Sequence, residues 1–128
     1  MDVPVRPCPL GKVIVTVPGT AVNLATGSTQ ITGSNPATIT NNMDAARARR
    51  IDFRAPTASG GMAGNTGRIY VGLQNMDKVT LIGVIFYLDP GDTFTFDNPQ
   101  QALPYRLADY FVDADNANDY LTGDFDPS

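Results

Sequence analysis

Histidine and tryptophan are absent from the 128 residues, and cysteine occurs once, at Cys8. A single cysteine makes neither an internal disulfide nor a cysteine-based zinc site. Without histidine, the Ser-His-Asp, Cys-His and His-rich metal schemes are all closed. Glutamate is missing too: all 13 acidic residues are Asp, and Lys12 and Lys78 are the only lysines. Glu and Lys clothe the solvent faces of ordinary helices, whereas Asp, Asn, Thr, Gly and Pro favour turns and caps. These shortages argue against helices before any pattern is read. No stretch is long and apolar enough for a membrane-crossing helix. The opening residues, Met1-Asp2-Val3-Pro4-Val5-Arg6-Pro7, show neither a basic leader nor an apolar signal core, so no secretory targeting is expected.

What is present suits one globular domain. The 42% apolar content and the length are enough for a core without disulfides. The net charge of −4 is uneven: six aspartates and no basic residue lie between Leu107 and Ser128, while residues 1–106 carry nine basic and seven acidic groups, a net of +2. No basic stripe forms, so nucleic acid is not an expected partner, and neither is a membrane.

Short strands punctuated by turns run along the chain. Lys12 to Val17 is a β-branched run stopped by Pro18-Gly19. Arg50-Ile51-Asp52-Phe53-Arg54-Ala55 alternates, with Ile51, Phe53 and Ala55 assigned to the core. Further strands are expected at 68–71, 82–88, 93–96, 106–112 and 120–125. Residues 43–48 suit either a helical turn capped by Asn42 or the start of the next strand. Residues 26–42 read as an edge hairpin or an ordered loop. Seven or eight strands at roughly ten-residue spacing describe an all-β sandwich of jelly-roll type. It is expected over residues 11–128, preceded by an extended arm at 1–10 in which Cys8 is a small apolar anchor.

Two glycine-rich stretches raise a chemical question. "GGMAGNTGR", residues 60–68, superficially suggests a phosphate cradle, but its glycines have the wrong spacing and no Gly-Lys-Ser/Thr follows. The loop also enters a strand, not a helix. Gly64-Asn65-Thr66-Gly67 is therefore read as a strand connection. Asp89-Pro90-Gly91-Asp92 carries the type II turn signature.

The order of these elements resembles a known group. Ile51-Asp52-Phe53-Arg54-Ala55 is followed by Asn65-Thr66-Gly67-Arg68-Ile69-Tyr70-Val71-Gly72, then Leu88-Asp89-Pro90-Gly91-Asp92-Thr93-Phe94-Thr95-Phe96, then Leu107-Ala108-Asp109-Tyr110-Phe111-Val112-Asp113-Ala114-Asp115. This succession is similar to that of small β-sandwich proteins of tailed-bacteriophage particles, the head decoration or cementing proteins and related virion modules. The insert from Leu73 to Leu81 is longer and less polar than that pattern. The resemblance implies a non-enzymatic structural protein on the virion capsid exterior that binds and reinforces the major-capsid lattice. It also implies a homo-oligomer, with a trimer favoured. A head-fibre or tail module binding a host surface or other virion proteins is the alternative, with Tyr70, Tyr105, Tyr110 and Tyr120 as its candidate contacts.

Several constellations have both a functional and a plain reading. Asp113-Ala114-Asp115-Asn116-Ala117-Asn118-Asp119 offers oxygen ligands for calcium, but a solvated turn is preferred, so no metal or cofactor is expected. Among 13 aspartates no acid/base pair can be chosen for a glycosidase, and no tryptophan stacks a sugar. Arg47, Arg49, Arg50 and Arg54 form either a docking strip for an acidic surface or the solvated face of a strand. The run Ile82 to Leu88 is apolar without alternation and needs a cover, either a subunit or the chain's own residues 26–42. The candidate capsid or subunit contacts are Val3, Pro4, Val5 and Arg6 in the arm, Arg47, Arg49 and Arg50 in the strip, and Ile85 and Tyr87 in the apolar run.

Overall fold

The computed structural model describes residues 8–26, 47–58, 64–97 and 105–127. Val3, Pro4, Val5 and Arg6, all but the first residue of the 26–42 stretch expected as a hairpin or loop, and most of the candidate helical turn at 43–48 lie outside them. The described chain forms ten strands: β1 (Cys8–Pro9), β2 (Val13–Val15), β3 (Val22–Asn23), β4 (Arg47–Arg54), β5 (Ile69–Gly72), β6 (Val84–Leu88), β7 (Thr93–Asp97), β8 (Tyr105–Arg106), β9 (Phe111–Ala114) and β10 (Asp119–Pro127). They build two antiparallel sheets packed face to face. The larger runs β1-β10-β4-β7, with β2 also on β10 and β8 also on β4; the smaller runs β3-β9-β5-β6. The order β2-β10-β4-β7 facing β3-β9-β5-β6 is jelly-roll winding, in which β2, β3, β4, β6, β8 and β9 each hand the chain to the opposite sheet.

The alternation read in β4 is the organising feature. Ile51, Phe53 and Ala55 are buried while Arg50 and Arg54 are exposed. Phe53 sits at the centre of a ring cluster, 5.1 Å from both Phe86 and Phe96, and Phe96 in turn packs on Tyr105 and Tyr110. Such offset and edge-on pairs add to the area they bury. The end of the expected arm belongs to the sandwich. Cys8 and Pro9 pair with Phe125 and Asp124 of β10, and Leu10 is fully buried, its N–H donating to the Gly123 carbonyl at 2.9 Å.

Two strand expectations change. The run 106–112 is broken: β8 ends at Arg106, a single 3-10 turn covers Leu107–Asp109, and β9 starts at Phe111. Leu107 is fully buried there, so the turn plugs the core where a straight strand would pass it by. The apolar run also starts later than its composition suggests. Ile82 and Gly83 lie in a turn with Gly83 at φ +79°, and the strand begins at Val84. The Asp89-Pro90-Gly91-Asp92 turn has the expected geometry, with Gly91 at φ +96° and the Asp92 N–H donating to the Asp89 carbonyl at 2.9 Å. It joins β6 to β7 across the two sheets.

Candidate interaction surface

The glycine-rich loop does hold an anion, and the anion is the chain's own. Asp119, 3% exposed, accepts the Thr66 N–H at 3.1 Å and the Gly67 N–H at 2.8 Å, with the Thr66 hydroxyl as a further donor. The donors that a phosphate would use are therefore occupied by a carboxylate from the neighbouring strand. Beside them Asn65, 7% exposed, presents its side-chain amide to Tyr120 like a strand. Its Nδ2 donates to the Tyr120 carbonyl and its Oδ1 accepts the Tyr120 N–H, both at 2.7 Å. This bidentate pairing continues the sheet past Arg54, where β4 stops.

The aspartates of the acidic segment have separate duties. Asp113 accepts the Gly19 N–H at 2.9 Å, Asp115 accepts the Tyr70 hydroxyl at 3.1 Å, and Asp119 holds the Asn65-Thr66-Gly67 turn. Among the described residues no group of three such side chains is arranged to hold a metal ion.

Arg50 and Arg54 of the arginine strip lie on the outer face of the larger sheet and are paired within it. Arg54 pairs with Asp124 at 2.9 Å and Arg50 with Asp52 at 3.4 Å. Asp52 also accepts the Thr95 hydroxyl at 2.7 Å, and this bond, ahead of contributions from Asp124 and Arg50, holds its carboxyl below the ordinary range. Arg49 is exposed, and the backbone of Arg47 pairs with Arg106 at the start of β4. Ile85 and Tyr87 are 46% and 45% exposed, but on the smaller sheet. The two groups of candidate contacts thus occupy different sheets and do not form one site.

On the outer face of the smaller sheet, the described contacts come from the loop between β5 and β6 and from β5 and β6 themselves. Met76, from the loop between β5 and β6, lies against Gly72 and Gly83. Lys78 Nζ donates to the Ala114 carbonyl at 2.7 Å. Tyr87 stacks on Tyr70, and the Arg68 guanidinium lies 4.0 Å from the Tyr87 ring while pairing with Asp89 at 2.9 Å. Burial, followed by the Asp115 hydrogen bond, raises the Tyr70 pKa. Tyr70 and Tyr120 are buried, and Tyr105 and Tyr110 are partly buried in the ring cluster, so the four tyrosines do not line an exposed groove.

The surface that the sequence reading missed is the loop itself, residues 73–83. Asp77 knits it: the carboxylate accepts the Val79 and Thr80 N–H groups at 2.8 and 3.3 Å, which lowers its pKa. Its N–H donates to the Ile82 carbonyl, and its carbonyl accepts the Leu81 N–H. Leu81 is held at φ +65°, an unfavourable setting for a leucine. The product is a built loop with its aliphatic side chains outward: Val79 is 84% exposed, Ile82 72%, Leu73 49% and Leu81 46%. Its only charged residues, Asp77 and Lys78, are turned to internal bonds. A pocket of about 390 Å³ lies beneath it, lined by Gly19, Met76, Lys78 and Asp113 among others. The signal in the sequence was the apolar content of this insert, which has no strand or helix period to account for it.

No protein-family model matches this chain, and neither a curated protein nor a solved structure is detectably similar to it.

Proposed function

We propose that this chain is a structural virion protein of a tailed phage, a decoration protein that docks on the major capsid protein and acts by binding, not catalysis. The observation that carries the reading is the loop 73–83, which keeps Val79 and Ile82 exposed on a hydrogen-bonded frame. Large aliphatic groups held out on a preorganised loop suit anchors that enter pockets on a partner, because little ordering entropy remains to be lost on binding. The order of motifs, which resembles that of phage head proteins, supplies the class of partner. Reinforcement follows by mass action: a surface presented only by the assembled lattice is stabilised when the loop buries it.

The first test is antibody-gold labelling of purified virions of the phage that carries the sequence, with mass spectrometry of the same particles. Regular gold over the head is expected. Gold confined to tail or fibre tips would replace the capsid role with the binding-module role. Absence of both gold and peptides would overturn the virion reading. A Val79→Asp, Ile82→Asp double variant, checked for folding by circular dichroism, is expected to lose at least tenfold in occupancy on stripped heads. Undiminished occupancy would remove the loop from the docking surface.

A further inference from the structure

Sheet edges are exposed templates for strand addition, and folded proteins guard them with short strands, prolines, charges or bulges. The described edges of this sandwich are guarded with one exception. β1 and β3 have two residues each, β2 has three and β8 two, and β1 contains Pro9. β6 is bulged: Val71 pairs with Phe86 and Gly72 with Val84, leaving Ile85 as the extra residue. β7 is neither short, bulged nor proline-bearing, and its one charged residue is Asp97 at its end. It runs five residues, Thr93-Phe94-Thr95-Phe96-Asp97, in unbroken register on β4, and no second strand pairs with it among the described residues. It contains no Lys, Arg or Pro, and Phe94, stacked 4.3 Å from Phe86 at the open side of the sandwich, is left 41% exposed.

We propose that β7 pairs edge to edge, antiparallel, with β7 of a second copy of this chain. The strand is self-complementary about Thr95. A two-fold axis there sets Phe94 opposite Phe96 of the second copy, and covers on both copies the ring that the monomer leaves half-exposed. On the outer face it sets Thr93, a hydroxyl donor, opposite Asp97, a carboxylate acceptor, and Thr95 opposite its own counterpart. No like charges meet at the seam, although each copy carries a net −4. Cross-strand aromatic and hydroxyl pairs of this kind are favourable, whereas opposed like charges are not. The pairing joins two larger sheets into one continuous sheet through an isologous contact, which closes at two copies. Five paired residues cover less than the roughly 800 Å² per partner of a standard interface, so the association depends on protein concentration.

The inference rests on β7 and not on the virion reading, and its test needs only the purified chain. Sedimentation equilibrium is expected to show an average mass rising with concentration from the 13.7 kDa chain toward twice that value. Thr95→Lys places two ammonium groups opposite each other across the axis, while in each monomer Asp52 can still accept from the new side chain. It is expected to weaken self-association at least tenfold with the far-ultraviolet spectrum unchanged. Val79→Lys, on the other sheet's loop, is expected to leave it intact. A constant 13.7 kDa mass up to about 1 mM, a limiting mass of three chains, or loss of association with Val79→Lys but not Thr95→Lys would each overturn the proposal. Amide exchange of the wild-type chain tests it without any variant: β7 amides gain protection as concentration rises if the edge pairs, and unchanged protection counts against it.

Discussion

Asn65 shows how much one side chain contributes when it stands in for a strand. Replacing it with Ala leaves the Tyr120 N–H and carbonyl without their partners in a buried setting, which costs about 2–4 kcal/mol in total. Urea unfolding of Asn65→Ala is expected to show this loss. Asn65→Asp keeps an acceptor for the N–H but no donor for the carbonyl, so it is expected to recover only part of it. Asp52 makes a second prediction at this scale. Its pKa is held below 3.8 mainly by the Thr95 hydroxyl, so its contribution to stability is present above that value and is lost as pH falls through the folded-state pKa. Stability measured from pH 7 to pH 2 is expected to fall in the acid limb, less steeply in Thr95→Val. Neither role was legible in the sequence. Asn65 reads there as one more turn residue, and Asp52 as one exposed carboxylate among 13; their partners lie 55 and 43 residues away.

At the scale of elements, alternation and turn chemistry were the readable signals. β4 lies where Ile51, Phe53 and Ala55 alternate with Arg50, Asp52 and Arg54, because a half-buried strand must sort its residues by face. The Pro90-Gly91 turn was readable because only a positive φ at its third position closes it. β10 was placed, but its closest approach to β4 was not visible. Gly123, at φ +153° opposite Phe53, has the Asp52 carbonyl oxygen where a Cβ would stand. Gly123→Ala is therefore expected to destabilise the chain by more than about 2 kcal/mol, seen as a lowered urea midpoint at constant slope. The loop 73–83 went unrecognised for the opposite reason. Its aliphatic residues follow neither period, and its shape depends on where the Asp77 carboxylate ends.

Across the whole molecule the two sheets share one core, and Phe53 is the residue that both use. Phe53→Ala removes the ring against which Phe86 and Phe96 pack, at a cost of about 3–5 kcal/mol. Calorimetry is expected to show a single transition at lower temperature, because the sheets do not bury their faces independently. The all-β class followed from the sequence alone. With no Glu, two Lys and turn residues every few positions, helices had little to build from, while β-branched and aromatic runs supplied strands. The absence of histidine likewise closed its chemistry without any coordinates. Tertiary structure alone decided which sheet each strand joins, where Asp119 and Asn65 find their donors and acceptors, and which apolar residues stay outside. Those outcomes depend on contacts between segments dozens of residues apart, and local propensity and periodicity act only over a turn or a strand.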